Sequence, residues 1–165
     1  MRRVKLDKID LKILRDLQDE GRMTNVTLAQ RAGISAPPCL RRVRALEEAG
    51  FIRGYHADLD RERIGFEVAF FALVGLDNQS EAVLTEFEST MADWPEVREC
   101  HMARGPHDFV LKIVARNTAH ENELTTRLTA ATHVATVQTI QVIRTSKRQP
   151  GVPIDPERAE SDSLE

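Results

Sequence analysis

The spacing of apolar residues changes once along the chain, near Gly65, and this change constrains the fold more than any other feature. Before Gly65 the aliphatic side chains recur at intervals of three and four, as on amphipathic helices. After it, Val68–Leu76 is apolar almost throughout, which is typical of a strand covered on both faces or lying at an assembly interface. We expect a helical domain at residues 1–60, a linker at 61–65, an α+β domain at 66–147 and a mobile tail at 148–165.

The first domain begins with signals for two short helices. An amphipathic helix ends at Gly21, and its apolar residues are Leu6, Ile9, Ile13, Leu14 and Leu17. Thr24 and Asn25 offer N-cap groups for a second helix over roughly residues 26–32. Gly33 is expected to stop that helix and to form a tight link to the next one.

A third helix and a small wing complete this domain. Ser35 is expected to cap the third helix, and Pro37 falls in its first turn, where a missing N–H costs little. Gly50 suits the left-handed residue that closes a helix, and residues 51–59 then read as a two-stranded wing. Three short helices followed by a wing predict a winged helix-turn-helix domain.

The second domain alternates strand-like and helical patterns in the order βαββαβ. Strands are expected at Val68–Leu76, Val97–Met102, Phe109–Ala115 and Val134–Thr145, with helices at Glu81–Ala92 and from Thr118 to about Leu128. This order predicts a ferredoxin-like sandwich, in which two helices cover one face of a four-stranded antiparallel sheet. The fold class is therefore α+β.

The charge is divided between the two parts of the chain. Residues 1–65 hold 14 Lys and Arg against 10 Asp and Glu, a net charge of +4. Residues 66–165 hold 9 against 16, a net charge of −7, which together with the first part gives the −3 of the whole chain. A basic module joined to an acidic one favours a DNA-binding domain with a separate assembly domain.

The third helix has the two faces of a recognition helix. Its apolar stripe contains Cys39, Val43 and Leu46, and the opposite side contains Pro37, Arg41 and Arg44. Arginine in the major groove can donate two hydrogen bonds to guanine O6 and N7. Ser35 and the helix N-terminus are expected to hold a phosphate oxygen. The predicted DNA contacts are Ser35, Pro37, Arg41, Arg42, Arg44 and Arg53, with Arg42 and Arg53 mainly on phosphates. The alternative is a solvated face on which these arginines pair with Glu47 and Glu48.

The sequence from Gly33 to Tyr55, GISAPPCLRRVRALEEAGFIRGY, closely resembles the leucine-responsive regulatory protein and AsnC family. The resemblance extends to Leu6–Asp10, Trp94–Val97 and Leu111–Val114, and covers about residues 4–148. It implies a winged helix-turn-helix that binds double-stranded DNA, followed by a ferredoxin-like domain that responds to an amino acid. It also implies homodimers formed through their sheets and assembled into octamers.

The same resemblance implies a site for a small-molecule effector. Relatives carry Gly-Asp-Tyr-Asp or a close variant at the turn after the second strand, and this chain has Gly105-Pro106-His107-Asp108. N–H groups near Gly105 are expected to hold a carboxylate and Asp108 an ammonium, as a zwitterion requires. Hydroxyls of Thr136 and Thr139 are expected to add to this site. The alternative is that Gly105 and Asp108 serve only to form the turn.

Three other functions fit parts of the sequence. The architecture also resembles sirohaem decarboxylases, with His101 and His107 flanking the turn, although a recognition helix with exposed arginines would be idle in an enzyme. A metal or redox sensor would use Cys100 and His101 with His107 and Asp108, but the adjacent strand residues Cys100 and His101 point to opposite faces. The third alternative keeps the fold without DNA binding, and Arg41 argues against it. We expect no catalytic residue, metal or cofactor beyond an amino-acid effector.

The sequence also favours a cytoplasmic protein. Residues 1–10 show no signal-peptide pattern, and no apolar run approaches the roughly 18 residues of a membrane-spanning helix. Cys39 and Cys100 lack the close spacing of a metal or redox pair, so reduced thiols are expected.

Overall fold

A computed structural model describes residues 6–157, and its described part divides into two units. The first unit comprises residues 6–58 and 147–157, and the second is Leu59–Ser146. The helices of the first unit are α1 (Lys8–Asp19), α2 (Asn25–Ala32) and α3 (Ala36–Glu48). The second unit contains β1 (Val68–Leu76), α4 (Glu81–Ala92), β2 (Val97–Met102), β3 (Phe109–Ala115), α5 (Thr118–Thr129) and β4 (Val134–Gln141). No described helix has the length and hydropathy needed to cross a membrane.

Local capping defines where the first two helices begin. At α1 the Asp7 carboxylate accepts from the N–H of Asp10, and the Asp10 carboxylate accepts from the N–H of Asp7, so two otherwise unpaired donors are satisfied. At α2 the Thr24 hydroxyl accepts from the N–H of Thr27. Ser35 stands at the N-cap position of α3, as predicted, but its side chain makes no capping hydrogen bond.

Glycines end α2 and α3 in the same way. Gly33 has φ of 77°, and the N–H of Ile34 donates to the carbonyl of Ala29. Gly50 has φ of 76°, and the N–H of Phe51 donates to the carbonyl of Leu46. The left-handed conformation at these two positions lets the chain turn back and satisfy the last carbonyls of each helix.

One apolar cluster holds the three helices together. Its fully or almost fully buried members come from all three helices and are Ile13, Leu17, Leu28, Ala29, Ala32, Cys39 and Leu46. Val43 packs against this cluster, so the apolar stripe predicted for α3 is buried. Burying one such side chain contributes roughly 1.5 to 3 kcal/mol, which makes this face of α3 unavailable to a ligand.

The two strands predicted for the wing are not formed in this structure. Residues 51–59 are all described, and they form neither helix nor strand. The N–H groups of Phe51 and Ile52 both donate to the carbonyl of Leu46, so they terminate α3 instead of pairing across a hairpin. Tyr55 also bonds back to α3, because its hydroxyl donates to the Glu47 carboxylate at 3.0 Å.

The second unit is the predicted four-stranded antiparallel sheet with two helices on one face. The strand order is β2-β3-β1-β4, so β2, which follows α4, lies at one edge beside β3, and β4, which follows α5, lies at the other edge beside β1. The residues between sheet and helices form one core, whose largest members are Phe70, Val74, Phe87, Met91, Phe109, Leu111, Ile113, Leu124 and Leu128. Phe87 of α4 meets Phe109 of β3 with ring centroids 4.7 Å apart.

The last strand is shorter than predicted. Gln141 ends β4 opposite Phe70, and the N–H of Val142 makes one further bond, to the carbonyl of Ala69. Continuing this register would place Ile143 opposite Val68, where β1 begins, so the residues after Ile143 have no part of β1 to pair with. The Val, Ile and Thr content that predicted a strand to Thr145 is therefore overruled by the length of its neighbour.

The expectation of a mobile tail from residue 148 also differs from the structure. Residues 147–157 pack with the first unit, and Pro156 is buried there. Gln18 of α1 makes two hydrogen bonds to the main chain of Val152. The predicted tail residues 158–165 lie outside the described part of the chain.

Candidate nucleic-acid interface and effector site

The outward face of α3 presents two arginines that no acidic side chain of residues 6–157 neutralises. Arg41 and Arg44 are exposed, whereas Cys39 and Leu46 on the opposite face are 0% and 4% exposed. Within the described residues neither arginine has an ion-pair partner, and Glu47 bonds to the Tyr55 hydroxyl instead. The alternative of a self-paired surface therefore finds no support. Two free guanidinium groups on one exposed helix face suit the donor pattern that guanine requires.

Arg42, predicted mainly as a phosphate contact, forms ion pairs within the first unit. Its Nη1 donates to Asp7 Oδ2 and to Asp10 Oδ1, both at 2.7 Å, and so ties α3 to the start of α1. Hydrogen bonds to Asp10, then to Asp7, raise the pKa of Arg42. Burial opposes ionisation of Asp7, but hydrogen bonds from the Asp10 N–H and from Arg42 outweigh it and lower the pKa of Asp7. Arg42 is thus engaged inside the unit, and the phosphate contact expected of it stays a prediction.

The N-terminus of α3 has fewer donors than the prediction of a phosphate site assumed. Pro37 and Pro38 occupy its first turn and have no N–H groups. The N–H of Cys39 already donates to the carbonyl of Ser35. A phosphate at this end would therefore be held by the Ser35 hydroxyl and the N–H of Ala36. Ser35 is exposed, as is Arg53 beyond the helix.

The position of α3 against α2 is fixed by a polar contact that the sequence did not reveal. Asn25 Nδ2 donates to the carbonyl of Ala36 at 2.8 Å, across the turn between the two helices. The sequence predicted Asn25 only as an N-cap. Its amide instead holds the first residue of α3, which fixes where the arginine face of α3 begins.

In the second unit, Asp108 anchors the predicted effector turn to β1. Its Oδ2 accepts from the N–H of Leu76 at 2.7 Å, and its own N–H donates to the carbonyl of Val74 at 2.9 Å. The N–H of Ala103 closes the turn on the carbonyl of Asp108 at 2.8 Å. Asp108 therefore does form the turn, as the alternative held, and its Oδ1 makes no hydrogen bond within the described residues.

The structure brings only one of the two predicted threonines to this end of the sheet. Thr136 lies opposite Gly75, next to the irregularity at Gly75 and Leu76, which Asp108 also contacts. A Cβ at Gly75 would lie 2.5 Å from Thr136 Oγ1, so a larger residue here would displace the Thr136 hydroxyl. Thr139 lies opposite Ala72, three residues further along β4, and therefore on the other face of the sheet. Asp108 and Thr136 converge, and Thr139 does not join them.

His107 is the turn residue with unused hydrogen-bonding capacity. The residue is half-buried, and its Nδ1 is buried with no hydrogen-bond partner in the described chain. Gly105 and Pro106 beside it are exposed. A buried polar atom without a partner costs about 1 to 3 kcal/mol, a cost that a bound ligand group can remove.

The residues considered for a metal or redox sensor do not converge. Cys100 lies opposite Leu111 on the helix side of the sheet, and His101 lies opposite Val110 on the other side. His101 bonds to Glu99, which also accepts from Lys112 at 2.6 Å. Burial, and then Glu88, raise the pKa of the Cys100 thiol. In the described chain no three His, Cys, Asp or Glu side chains are placed to hold a metal ion.

Fold and interface together define a DNA-binding transcriptional regulator, in which a helix-turn-helix unit is joined to a ligand-binding sandwich. Two family models match the chain: a winged helix-turn-helix DNA-binding domain over residues 6–53, and the Lrp/AsnC ligand binding domain over residues 69–152. The chain belongs to the Lrp/AsnC family.

Its similarity to curated relatives extends over both units. It is 54% identical to the leucine-responsive regulatory protein of Rhizobium meliloti (strain 1021) over 146 residues, which cover 88% of this chain and 94% of that protein. It is 42% identical to the Bkd operon transcriptional regulator of Pseudomonas aeruginosa over 134 residues, 81% of this chain and 88% of the relative.

Solved structures show the same fold. A transcriptional regulator from Neisseria meningitidis in complex with L-Met has a TM-score of 0.86 and 32% identity, with 91% of this chain and 97% of that chain covered. AsnC of Escherichia coli, with a TM-score of 0.79, 21% identity and coverage of 90% and 99%, shares the fold. These matches confirm the predicted fold class and family.

Proposed function

We propose that the protein is a homodimeric regulator whose two α3 helices bind successive major-groove faces of a nearly palindromic DNA site. The observation that carries this proposal is that Arg41 and Arg44 are exposed, and have no ion-pair partner among the described residues, on a helix whose other face is buried in a core. In this role they donate to base edges, while Ser35, Pro37 and Arg53 lie against the backbone. Such a protein acts in the cytoplasm as a binding protein and not as an enzyme.

The face of the sheet away from α4 and α5 supports the dimer. The strand registers place a set of half-buried or exposed apolar side chains on this face: Phe71, Leu73, Val110, Val114 and Ile140. Phe71 and Leu73 lie on a central strand, where an apolar side chain without a cover is unusual in a monomer. A second copy of the same face would cover them, and dimers joined further would form the octamer.

We also propose that an amino acid binds at the turn Gly105–Asp108. Asp108 Oδ1 is available to an ammonium group, exposed N–H groups near Gly105 to a carboxylate, and His107 Nδ1 to a further donor. The Thr136 hydroxyl lies at the same end of the sheet. L-Met in the Neisseria meningitidis regulator supports an amino acid as the ligand class.

The test is selection of DNA from a random pool by the purified protein at near-physiological salt, with and without a mixture of amino acids. A compact palindrome in the bound fraction is expected, and a shift with one amino acid names the effector. No enrichment at any salt would refute the regulator. Enrichment that no amino acid alters would refute the effector class alone.

A further inference from the structure

We propose that residues 147–157 form a C-terminal clasp that docks on α1 and gives the DNA-binding unit a second attachment to the ligand-binding unit. This inference rests on the proposed function, because its consequence is read out in DNA binding. It assigns a role to a segment outside the DNA-contacting helix and outside the effector turn.

Main-chain bonding to one side chain forms the centre of the clasp. Gln18 Nε2 donates to the carbonyl of Val152 at 2.8 Å, and the N–H of Val152 donates to Gln18 Oε1 at 2.9 Å. The side-chain amide thus pairs with one residue as a neighbouring strand would. Both bonds use the backbone of Val152, whose side chain is 63% exposed, so the contact does not depend on that side chain.

Gly151 permits this close approach. Its φ is +70°, a conformation that other residues rarely adopt. A Cβ at this position would lie 1.9 Å from Gln18 Oε1, which is far inside the contact distance. Any larger residue at 151 must therefore displace either the segment or the Gln18 side chain, and either movement breaks the pairing between them.

Two ion pairs hold the ends of the clasp. Glu157 pairs with Lys8 in the first turn of α1, and Pro156 beside it is buried. Arg148 pairs with Asp58 at 2.6 Å. Lys8 and Gln18 are both on α1, so the segment follows that helix over most of its length.

The route of the chain gives these contacts a consequence. The chain passes from the first unit to the second between Asp58 and Leu59, and returns between Ser146 and Lys147. With the clasp engaged, the DNA-binding unit is held through two segments, and the pair Asp58–Arg148 joins them. With the clasp released, one segment remains, and the unit has more orientational freedom.

Orientational freedom matters where two units must bind at once. On a site with two half-sites, binding of the second unit depends on its effective concentration, which falls when its attachment loosens. On a single half-site, orientational freedom should not change affinity, because Arg41 and Arg44 lie on α3 whereas the clasp bonds to α1. The clasp therefore favours paired half-sites over single ones.

The test compares Gly151→Val with the wild type in the full-length protein, using duplexes that carry two half-sites or one from the selected palindrome. Val152→Ala is the matched control, because it changes the same segment and keeps both main-chain bonds to Gln18. Tryptic cleavage after Lys147 and Arg148 reports whether the clasp is docked. Gln18→Ala removes the same contact from the α1 side.

We expect Gly151→Val to speed cleavage, to lower affinity for the two-half-site duplex about tenfold and to leave the single half-site within about twofold. Unchanged cleavage overturns the docked clasp, and equal losses on both duplexes show instead that the segment only stabilises the DNA-binding unit. If the wild type binds neither duplex, the proposed function is refuted. If the wild type binds both duplexes and Gly151→Val binds them with the same affinities, only the clasp is refuted.

Discussion

Arg42 Nη1 lies 2.7 Å from Asp10 Oδ1, and this contact joins the recognition helix to the first turn of α1. The carboxylate is 16% exposed and the guanidinium 33%, so the pair is partly shielded from water. Its position means that one of three neighbouring arginines in α3 stabilises the unit while the other two remain available to DNA.

Replacing Arg42 therefore acts on stability. We expect Arg42→Met to lower the free energy of unfolding by about 1 to 2 kcal/mol, because it removes charge-assisted hydrogen bonds to Asp10 and Asp7. Urea unfolding measures this, and Arg44→Met is the control on the same helix with no such bonds. If Arg42→Met instead kept the wild-type stability and lowered the slope of log DNA affinity against log salt concentration by about 1, Arg42 would be a phosphate contact.

Arg41 on the outward face of α3 and Arg53 beyond the helix are expected to bind different parts of the DNA, a base edge and a phosphate. Arg41→Ala should weaken the free energy of binding to the selected site by about 1 to 3 kcal/mol and relax the preference at one base position. Arg53→Ala should weaken binding to cognate and random DNA alike, and should lower the slope of log affinity against log salt concentration by about 1. Titrations of both variants at several salt concentrations measure this. Equal effects of Arg41→Ala on cognate and random DNA would contradict its assignment to a base.

Asp108 has two roles that one substitution can separate. Asp108→Asn keeps an acceptor for the N–H of Leu76 but removes the charge offered to an ammonium group. We expect it to abolish the amino-acid response and to leave thermal stability unchanged. Asp108→Ala should lose the response and also lower the free energy of unfolding by about 1 to 3 kcal/mol, because the N–H of Leu76 is left without its acceptor. An Asp108→Asn variant that still responds would place the effector elsewhere.

The lowered pKa of Asp7 predicts a loss of stability in acid. A carboxyl group whose pKa is lower in the folded state stabilises the fold above its unfolded value of 3.8, and this contribution disappears as the pH falls through the folded value. The free energy of unfolding of the wild type should therefore begin to fall near pH 3.8 and continue to fall as the pH drops through the lower folded-state value. Asp7→Asn keeps a capping oxygen and should show a shallower pH dependence. Parallel curves would argue against this contribution.

The uncovered sheet face predicts the effect of a buried charge on assembly. Val110 lies opposite Leu73 on this face, so Val110→Asp would place a carboxylate inside the proposed dimer. Sedimentation should show a monomer. The control is Ala82→Asp, an exposed position of α4 on the other side of the sheet, which should keep the wild-type assembly. A Val110→Asp dimer would mean that copies join through another surface.

The sequence predicted the features that depend on neighbouring residues. Helix starts at Asn25 and Ala36 follow local capping or turn chemistry, and the alternation at Cys100 and His101 follows from strand geometry. The βαββαβ order was also readable, because each run has a clear period.

What the sequence missed depends on residues far apart in the chain. Arg42 meets Asp7 and Asp10 across 35 and 32 positions, and nothing in the local pattern around Arg42 indicates that pairing. The clasp joins Gln18 to Val152 across 134 positions, and a polar, proline-rich segment has no periodicity to indicate packing. The sequence also placed Thr139 together with Thr136 for a related reason. The face of the sheet on which Thr139 lies is set by its register with β1, which the local sequence does not show.

The DNA-binding unit is discontinuous in sequence, and this affects how the chain is made. Residues 59–146 leave the ribosome between the two pieces of that unit, a delay of several seconds at ordinary rates of synthesis. The three helices must therefore hold together first without residues 147–157, through the cluster around Ile13 and Leu28. A chimera that exchanges only residues 1–58 with another regulator would leave those later residues facing a foreign α1. Engineers should transfer both pieces together.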